Sequence, residues 1–175
     1  MISSIKIYNR FNMDMFRRTG GLNFPYKRWY LISIHNDPSD ILMDRDTVSI
    51  FKALGLVDYL DMEFWDVNEQ QYRKIKNKYP DITIFTKDHA NAIIKFLSQI
   101  KLDILDAVLI IHCHAGISRS GAVGTFACDY LKLDYLDFVK ENTDLVANQY
   151  IFDILKQESK IYITSDYYKH KEVFK

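Results

Sequence analysis

The hydrophobic and polar positions along the chain switch between two periods, and the switches mark out its elements. Ser4 to Tyr8 alternates around Ile5 and Ile7 as a first strand would; Phe11, Met13, Met15 and Phe16 follow before Arg17-Arg18-Thr19-Gly20-Gly21 breaks the pattern. Trp29 to Ile34 reads as a second strand, and His35-Asn36-Asp37-Pro38-Ser39-Asp40 as the turn after it, with His35 a strand-end residue. Asp44 and Asp46 offer caps for a helix that carries Val48, Phe51 and Leu54 on one face and ends at Gly55. Leu60, Met62 and Phe64 alternate with Asp61 and Glu63, a half-buried strand that runs into Phe64-Trp65-Asp66-Val67, and the lysine-rich stretch from Val67 to Tyr79 reads as an insertion. From Thr86, a candidate cap, Ala90, Ile93, Ile94, Leu97 and Ile100 trace an amphipathic helix with Asp88 and His89 in its first turn, where capping suits both better than catalysis.

Ala107-Val108-Leu109-Ile110-Ile111 is an unbroken run of aliphatic residues, the mark of a strand buried on both faces of a sheet. Val123, Phe126, Ala127, Tyr130 and Leu131 then trace a helix that also holds Cys128, and Leu145 to Phe152 opens a last one with Val146, Tyr150, Ile154 and Leu155 on its apolar face. Strands alternating with helices predict an α/β fold: a central, mostly parallel sheet flanked by helices on both faces. Its crossover into Ala107 is right-handed and its site lies at the carboxyl ends of the strands.

At 175 residues and 48% hydrophobic, the chain suits one domain over 1–175, with 159–175 as a C-terminal extension rich in Tyr162, Tyr167, Tyr168, His170 and lysines. Lys+Arg and Asp+Glu both number 23, so no global field draws the chain to nucleic acid, and none is expected as a partner. Arg17 and Arg18 either border a substrate groove or simply face solvent. Two cysteines and no signal-like start argue against a disulfide-stapled secreted domain. No apolar run approaches the roughly 18 residues of a membrane span, so the expected location is cytoplasmic. Composition leaves the oligomeric state open.

The chemistry concentrates in His112-Cys113-His114-Ala115-Gly116-Ile117-Ser118-Arg119-Ser120-Gly121, a tight turn between the buried strand and the helix after it. A loop curling around an anion would turn the N–H groups of His114, Ala115, Gly116, Ile117 and Ser118 inward and bring the Cys113 thiol and the Arg119 guanidinium to one phosphate-sized space. Cysteines at helix N-termini or beside cations have pKa values of roughly 3.5–7.5 against about 8.5 when free, which would make Cys113 a thiolate nucleophile near neutral pH. Arg119 offers a planar fork for two phosphate oxygens, and Gly116 lets the backbone bend without a Cβ clash. His112-Cys113-His114 does not suit a metal, because consecutive strand-end residues point in different directions and no partner pair exists elsewhere; no cofactor is expected. Gly116 to Gly121 has the spacing of a nucleotide-binding loop, but Ala122 and Val123 stand where Lys and Ser/Thr are required. Cys128, within a helical pattern, reads as a buried structural cysteine.

This run resembles the phosphate-binding loop of the cysteine-based protein tyrosine phosphatases, His-Cys-x-x-Gly-x-x-Arg-Ser/Thr, at His112, Cys113, Gly116, Arg119 and Ser120. The resemblance implies that Cys113 attacks phosphorus to form a phosphocysteine and Arg119 clamps the phosphoryl oxygens. It further implies that Ser120 helps expel the thiolate and that His112 fixes the loop and helps keep the thiol ionised. The family's general acid is an Asp in a loop after a strand, often Trp-Pro-Asp. Trp65-Asp66 occupies that place without the proline, and Phe-x-Asp-Val is similar to small bacterial relatives of the dual-specificity branch. Asp66 is therefore the expected acid, 47 residues before Cys113; Asp81, 32 residues before it, fits the family's usual spacing better and is the alternative. Gln149-Tyr150-x-Phe152 is similar to the segment that positions the hydrolytic water, although Leu145 stands where that segment carries another glutamine, which makes Gln149 a candidate for the role.

The implied substrate is a phosphorylated protein, phosphotyrosine first and phosphoserine or phosphothreonine also. The lysine-free loop argues against inositol lipids, although His114 could add charge at low pH, and neutral composition argues against an RNA 5′-phosphatase. A phosphopeptide-binding module without turnover is the reading from another class, and the intact Cys113 argues against it.

Overall fold

The strand at the centre of the molecule, β4 (Ala107–Cys113), is the one whose sequence is apolar without interruption. In the computed structural model, which describes residues 1–21, 24–36 and 42–159, β4 lies between β1 (Ile2–Asn9) and β2 (Trp29–His35), and β2 pairs in turn with β3 (Leu56–Glu63). Every pairing is parallel, in the order β1-β4-β2-β3. β2 is buried along its whole length, as expected for a strand with neighbours on both sides and helices on both faces. The expected α/β architecture is the one observed.

Side-chain alternation divides the core between the two faces of the sheet. On one face Trp29, Leu31 and Ile110 pack against Met13 of α1 (Arg10–Arg18) and Phe51 of α2 (Arg45–Ala53). On the other, Ile5, Ile32, Leu109 and Ile111 meet Ile93 and Leu97 of α4 (Lys87–Lys101), Phe126 of α5 (Arg119–Leu131) and Ile151 and Leu155 of α7 (Gln149–Ser159). Every residue of α5 from Arg119 through Cys128 is buried, which makes it a core helix and the rigid base of the loop that enters it.

The helix starts follow local chemistry. Asn9 Oδ1 accepts the Asn12 N–H at 2.8 Å to begin α1, and Asp44 Oδ1 accepts the Thr47 N–H at 2.7 Å to begin α2. At the start of α4 the His89 ring accepts the Thr86 N–H at 3.0 Å, so His89 caps the helix. Arg17 and Arg18 both pair with Asp14 at 2.7 Å on their own helix.

Four expectations change. The polar stretch after Val67 contains a helix, α3 (Glu69–Ile75), started by a reciprocal pair of bonds between Asn68 and Gln71; it buries no residue, so it leaves no hydrophobic period to read. β3 begins at Leu56, directly after Gly55. A further short helix, α6 (Tyr135–Glu141), is held by the single buried residue Phe138. The last helix begins at Gln149, not Leu145, because Asn148 Oδ1 takes the Ile151 N–H at 3.3 Å and acts as its cap; Val146 is thereby left 39% exposed and off the apolar face. Asp37 to Asp40 of the expected turn, and Tyr162, Tyr167, Tyr168 and His170 of the extension, lie outside the described residues. No helix among the described residues is long and apolar enough to cross a membrane.

Asn142, just past α6, has a role that no local pattern announces. Its amide Nδ2 donates to the carbonyls of Ile5 (3.0 Å) and Phe138 (2.8 Å), and its Oδ1 accepts the Ile7 N–H at 2.7 Å. One buried side chain thus satisfies three main-chain groups and ties α6 to β1. Asn142→Leu should cost about 3 kcal/mol, since stranded polar groups of this kind cost about 1–3 kcal/mol each. The check is a urea titration in which the midpoint falls with an unchanged m-value.

Candidate active site

β4 delivers Cys113 to the carboxyl end of the sheet, and the chain then turns through His114–Ser118 into α5. The turn is pinned to β1. Arg10 N–H donates to the His114 carbonyl at 3.1 Å, and Gly116, at φ +72°, passes so close that a Cβ there would stand 2.7 Å from the Asn9 nitrogen. Glycine is required at that position on both counts.

Within the turn, the Gly116 N–H donates to Cys113 Sγ at 3.3 Å, and Ser120 Oγ lies 3.1 Å from the same sulfur. Cys113 is 2% exposed and Arg119 4%, at the floor of the loop, whereas His114, Ala115 and Ile117 form its exposed rim. Arg119 Nη1 donates to the Phe64 carbonyl at 2.8 Å, which links the loop to the segment just past β3. Two residues on, Asp66 Oδ1 accepts from Ser118 Oγ and from Asn148 Nδ2, both at 2.8 Å. The Asn148 N–H in turn donates to the Ser118 carbonyl at 3.2 Å. Thiol, guanidinium, hydroxyl and carboxylate are therefore gathered from β4, α5 and the segment after β3.

Asp81 is exposed and makes no hydrogen bond or ion pair with any loop residue; it lies beyond α3, on the stretch that rejoins the chain where the Trp65 N–H meets the Thr83 carbonyl at 2.8 Å. Gln149 is the first residue of α7, and its amide donates to Asp153 Oδ1 at 2.7 Å, along its own helix. Asn148 is the residue that sequence reasoning missed. Its cap position, immediately ahead of the helical run from Gln149, was a readable signal; its reach to Asp66 was not.

The two buried cysteines have different surroundings. Burial, with Asp129 and Asp134 nearby, pushes the Cys128 thiol up to about 12, so it stays neutral and packs as a small apolar group. His112 points to the opposite face of the sheet from Cys113, fully buried, with neither ring nitrogen making a hydrogen bond of normal length. Burial, helped by the charge of Arg10 and opposed by Asp61, lowers its pKa to about 3. Across the sheet on that face, Asp61 lies 3.4 Å from His35 Nε2. Burial alone would raise the Asp61 pKa, but hydrogen bonding with His35 and Ser33 holds it below the usual carboxylate range.

Three solved structures to which the chain is similar are a human tyrosine phosphatase-like serine/threonine/tyrosine-interacting protein, Tk-PTP in its active form, and the PTP-2 phosphatase of Cydia pomonella. The human protein is 15% identical over 89% of this chain and 87% of that one, with a TM-score of 0.42. Tk-PTP is 14% identical over 91% and 94%, with a TM-score of 0.49. The Cydia pomonella enzyme is 16% identical over 93% and 89%, with a TM-score of 0.39. No protein-family model and no curated protein sequence matches the chain. Likenesses this loose carry no functional weight, which falls on the loop itself.

The burial of His112 has a consequence for acid stability. Its folded pKa lies below that of the unfolded chain, about 6.5, so between about 6.5 and 3 the unfolded state binds the extra proton and stability falls as pH drops. The slope contributed by this one group approaches about 1.4 kcal/mol per pH unit. In His112→Asn, urea midpoints measured from pH 7 to pH 4 should decline more shallowly than in the wild type, whatever the variant's stability at pH 7.

Proposed function

We propose that the chain is a phosphatase that hydrolyses phosphotyrosine in proteins, with phosphoserine and phosphothreonine as secondary substrates, through a phosphocysteine intermediate, and that residues 1–175 form a single catalytic domain. The observation that carries this is the convergence on one turn of Cys113 Sγ, the buried Arg119 guanidinium, the Ser120 hydroxyl and an Asp66 carboxylate held over the turn by Ser118 and Asn148. A loop serving only to bind phosphate needs inward N–H groups and an arginine; it has no use for a sulfur that accepts a main-chain N–H, nor for a carboxylic acid beside it.

In the first step Cys113 Sγ, as the thiolate, attacks phosphorus and the bond to the ester oxygen breaks. The equatorial oxygens are held by Arg119 and by the loop N–H groups from His114 to Ser118, where charge is best stabilised by donors already in place. Asp66, protonated, gives its proton to the leaving oxygen. In the second step the Asp66 carboxylate takes a proton from water, the water oxygen attacks phosphorus, and the P–S bond breaks to release orthophosphate and return the thiolate, which Ser120 Oγ steadies by donating its hydrogen. His112 supports the turn from behind, and Gln149 is within the same neighbourhood as a candidate for orienting the water. Both cysteines are free, and a reducing compartment such as the cytoplasm suits a mechanism that needs the thiolate.

The test is hydrolysis of aryl phosphates with leaving groups of differing pKa. Cys113→Ser should abolish turnover. Asp66→Asn should lower kcat by about 10²- to 10³-fold for poor leaving groups, with the alkaline limb of the pH profile lost, whereas Asp81→Asn should stay within about twofold of wild type. A loss in Asp81→Asn in place of Asp66→Asn would transfer the acid's role, and a wild type without turnover would leave a phosphopeptide-binding module.

A further inference from the structure

Beside the loop, on the side of Ser118 and Asp66, lies an open cleft of about 470 Å³, within the range that encloses small ligands. Its walls come from α3, the loop and the entry to α7. Four carboxamides face it, Asn68, Gln71, Asn148 and Gln149, together with the apolar side chains of Ile117 and Val146, which are 36% and 39% exposed. Asp66 is the one charged residue among the described residues that line it. The wall formed by Asn68 and Gln71 belongs to the stretch that reads as an insertion in the sequence, where α3 stands beside Asp66.

Resting on the phosphatase reading above, we propose that this cleft is a subsite for the uncharged polypeptide segment flanking the phosphorylated residue. Beyond the bonds that start α3 and α7, Asn68 and Gln71 keep their NH2 donors and Gln149 its carbonyl acceptor, a mixed set that complements the alternating N–H and C=O groups of an extended main chain. Ile117 and Val146 offer apolar contact to an uncharged side chain of the same segment. The cleft is continuous with the site because Ser118 closes the phosphate loop and Asp66 serves as the acid, and both line it. Its lining argues against the alternatives: a nucleic acid or an inositol polyphosphate carries further phosphates, which call for Lys or Arg, and none lines the cleft.

The experiment uses the full chain carrying Cys113→Ser, so that binding is read without turnover. It compares a fluorescent phosphotyrosine peptide having uncharged residues on both sides with phenyl phosphate, which has no flanks. The peptide should bind at least about tenfold more tightly, and Val146→Asp and Gln71→Glu, added singly, should each lower that preference about five- to tenfold. Gln71→Glu keeps an acceptor for the Asn68 N–H and so preserves the start of α3. Equal affinity for the two probes, or a preference that neither substitution moves, overturns the subsite even where the wild type turns over aryl phosphates. A preference that both substitutions lower, in a protein without turnover, keeps the subsite and removes the phosphatase reading. Displacement of the peptide by a 5′-phosphorylated RNA or by phosphoinositide vesicles at lower concentration than by unlabelled peptide also overturns it.

Discussion

The chemistry of this protein depends on how tightly the turn after β4 is held against the end of β1. One hydrogen bond from Arg10 to the His114 carbonyl and the near-contact of Gly116 with Asn9 leave the loop little freedom, while a fully buried α5 fixes its far end. A turn anchored at both ends has little left to order when a ligand arrives, so that cost is met in folding. The parallel pairing of β1 with β4 makes this possible, since it brings Asn9 level with Cys113. The first strand and the nucleophile are more than a hundred residues apart in sequence and adjacent in the sheet.

The acid segment is joined to that turn by three separate contacts. Arg119 holds the Phe64 carbonyl, Ser118 holds the Asp66 carboxylate, and Asn148 holds both Asp66 and the Ser118 carbonyl. α3 lies between Trp65 and Thr83, whose main-chain bond closes its base, so the chain leaves and returns while Asp66 stays on the loop. Arg119 serves both parts, because its guanidinium lies at the floor of the loop and also bonds the carbonyl two residues before Asp66. One side chain thus touches both the loop and the backbone that carries Asp66.

What the sequence made legible follows from how much of each signal is local. β4 and α5 were readable because burial on all sides leaves only apolar and small residues, and the loop between them because its glycine, cysteine and arginine stand at a spacing that resembles a known phosphate-binding turn. The position of Asp66 beside the loop agrees with its place after an alternating strand, which residue counting alone would not have suggested. α3 was invisible because a helix that buries nothing has no apolar stripe, and α6 because a single Phe138 cannot set a period. Asn142 and Asn148 were missed for a different reason: each acts through a partner far away in the chain, and an asparagine in a polar stretch looks the same whether it faces water or bridges two elements.

Asn142 has a consequence beyond the three groups it satisfies. Among the described residues β1 ends the sheet on one side, and the open N–H and C=O groups of a terminal strand invite another strand to add on. By occupying the Ile7 N–H and the Ile5 carbonyl, a single amide takes the place of a neighbouring strand at these two groups. The same residue that binds α6 to the sheet thereby also covers the outer side of β1, and one side chain does both.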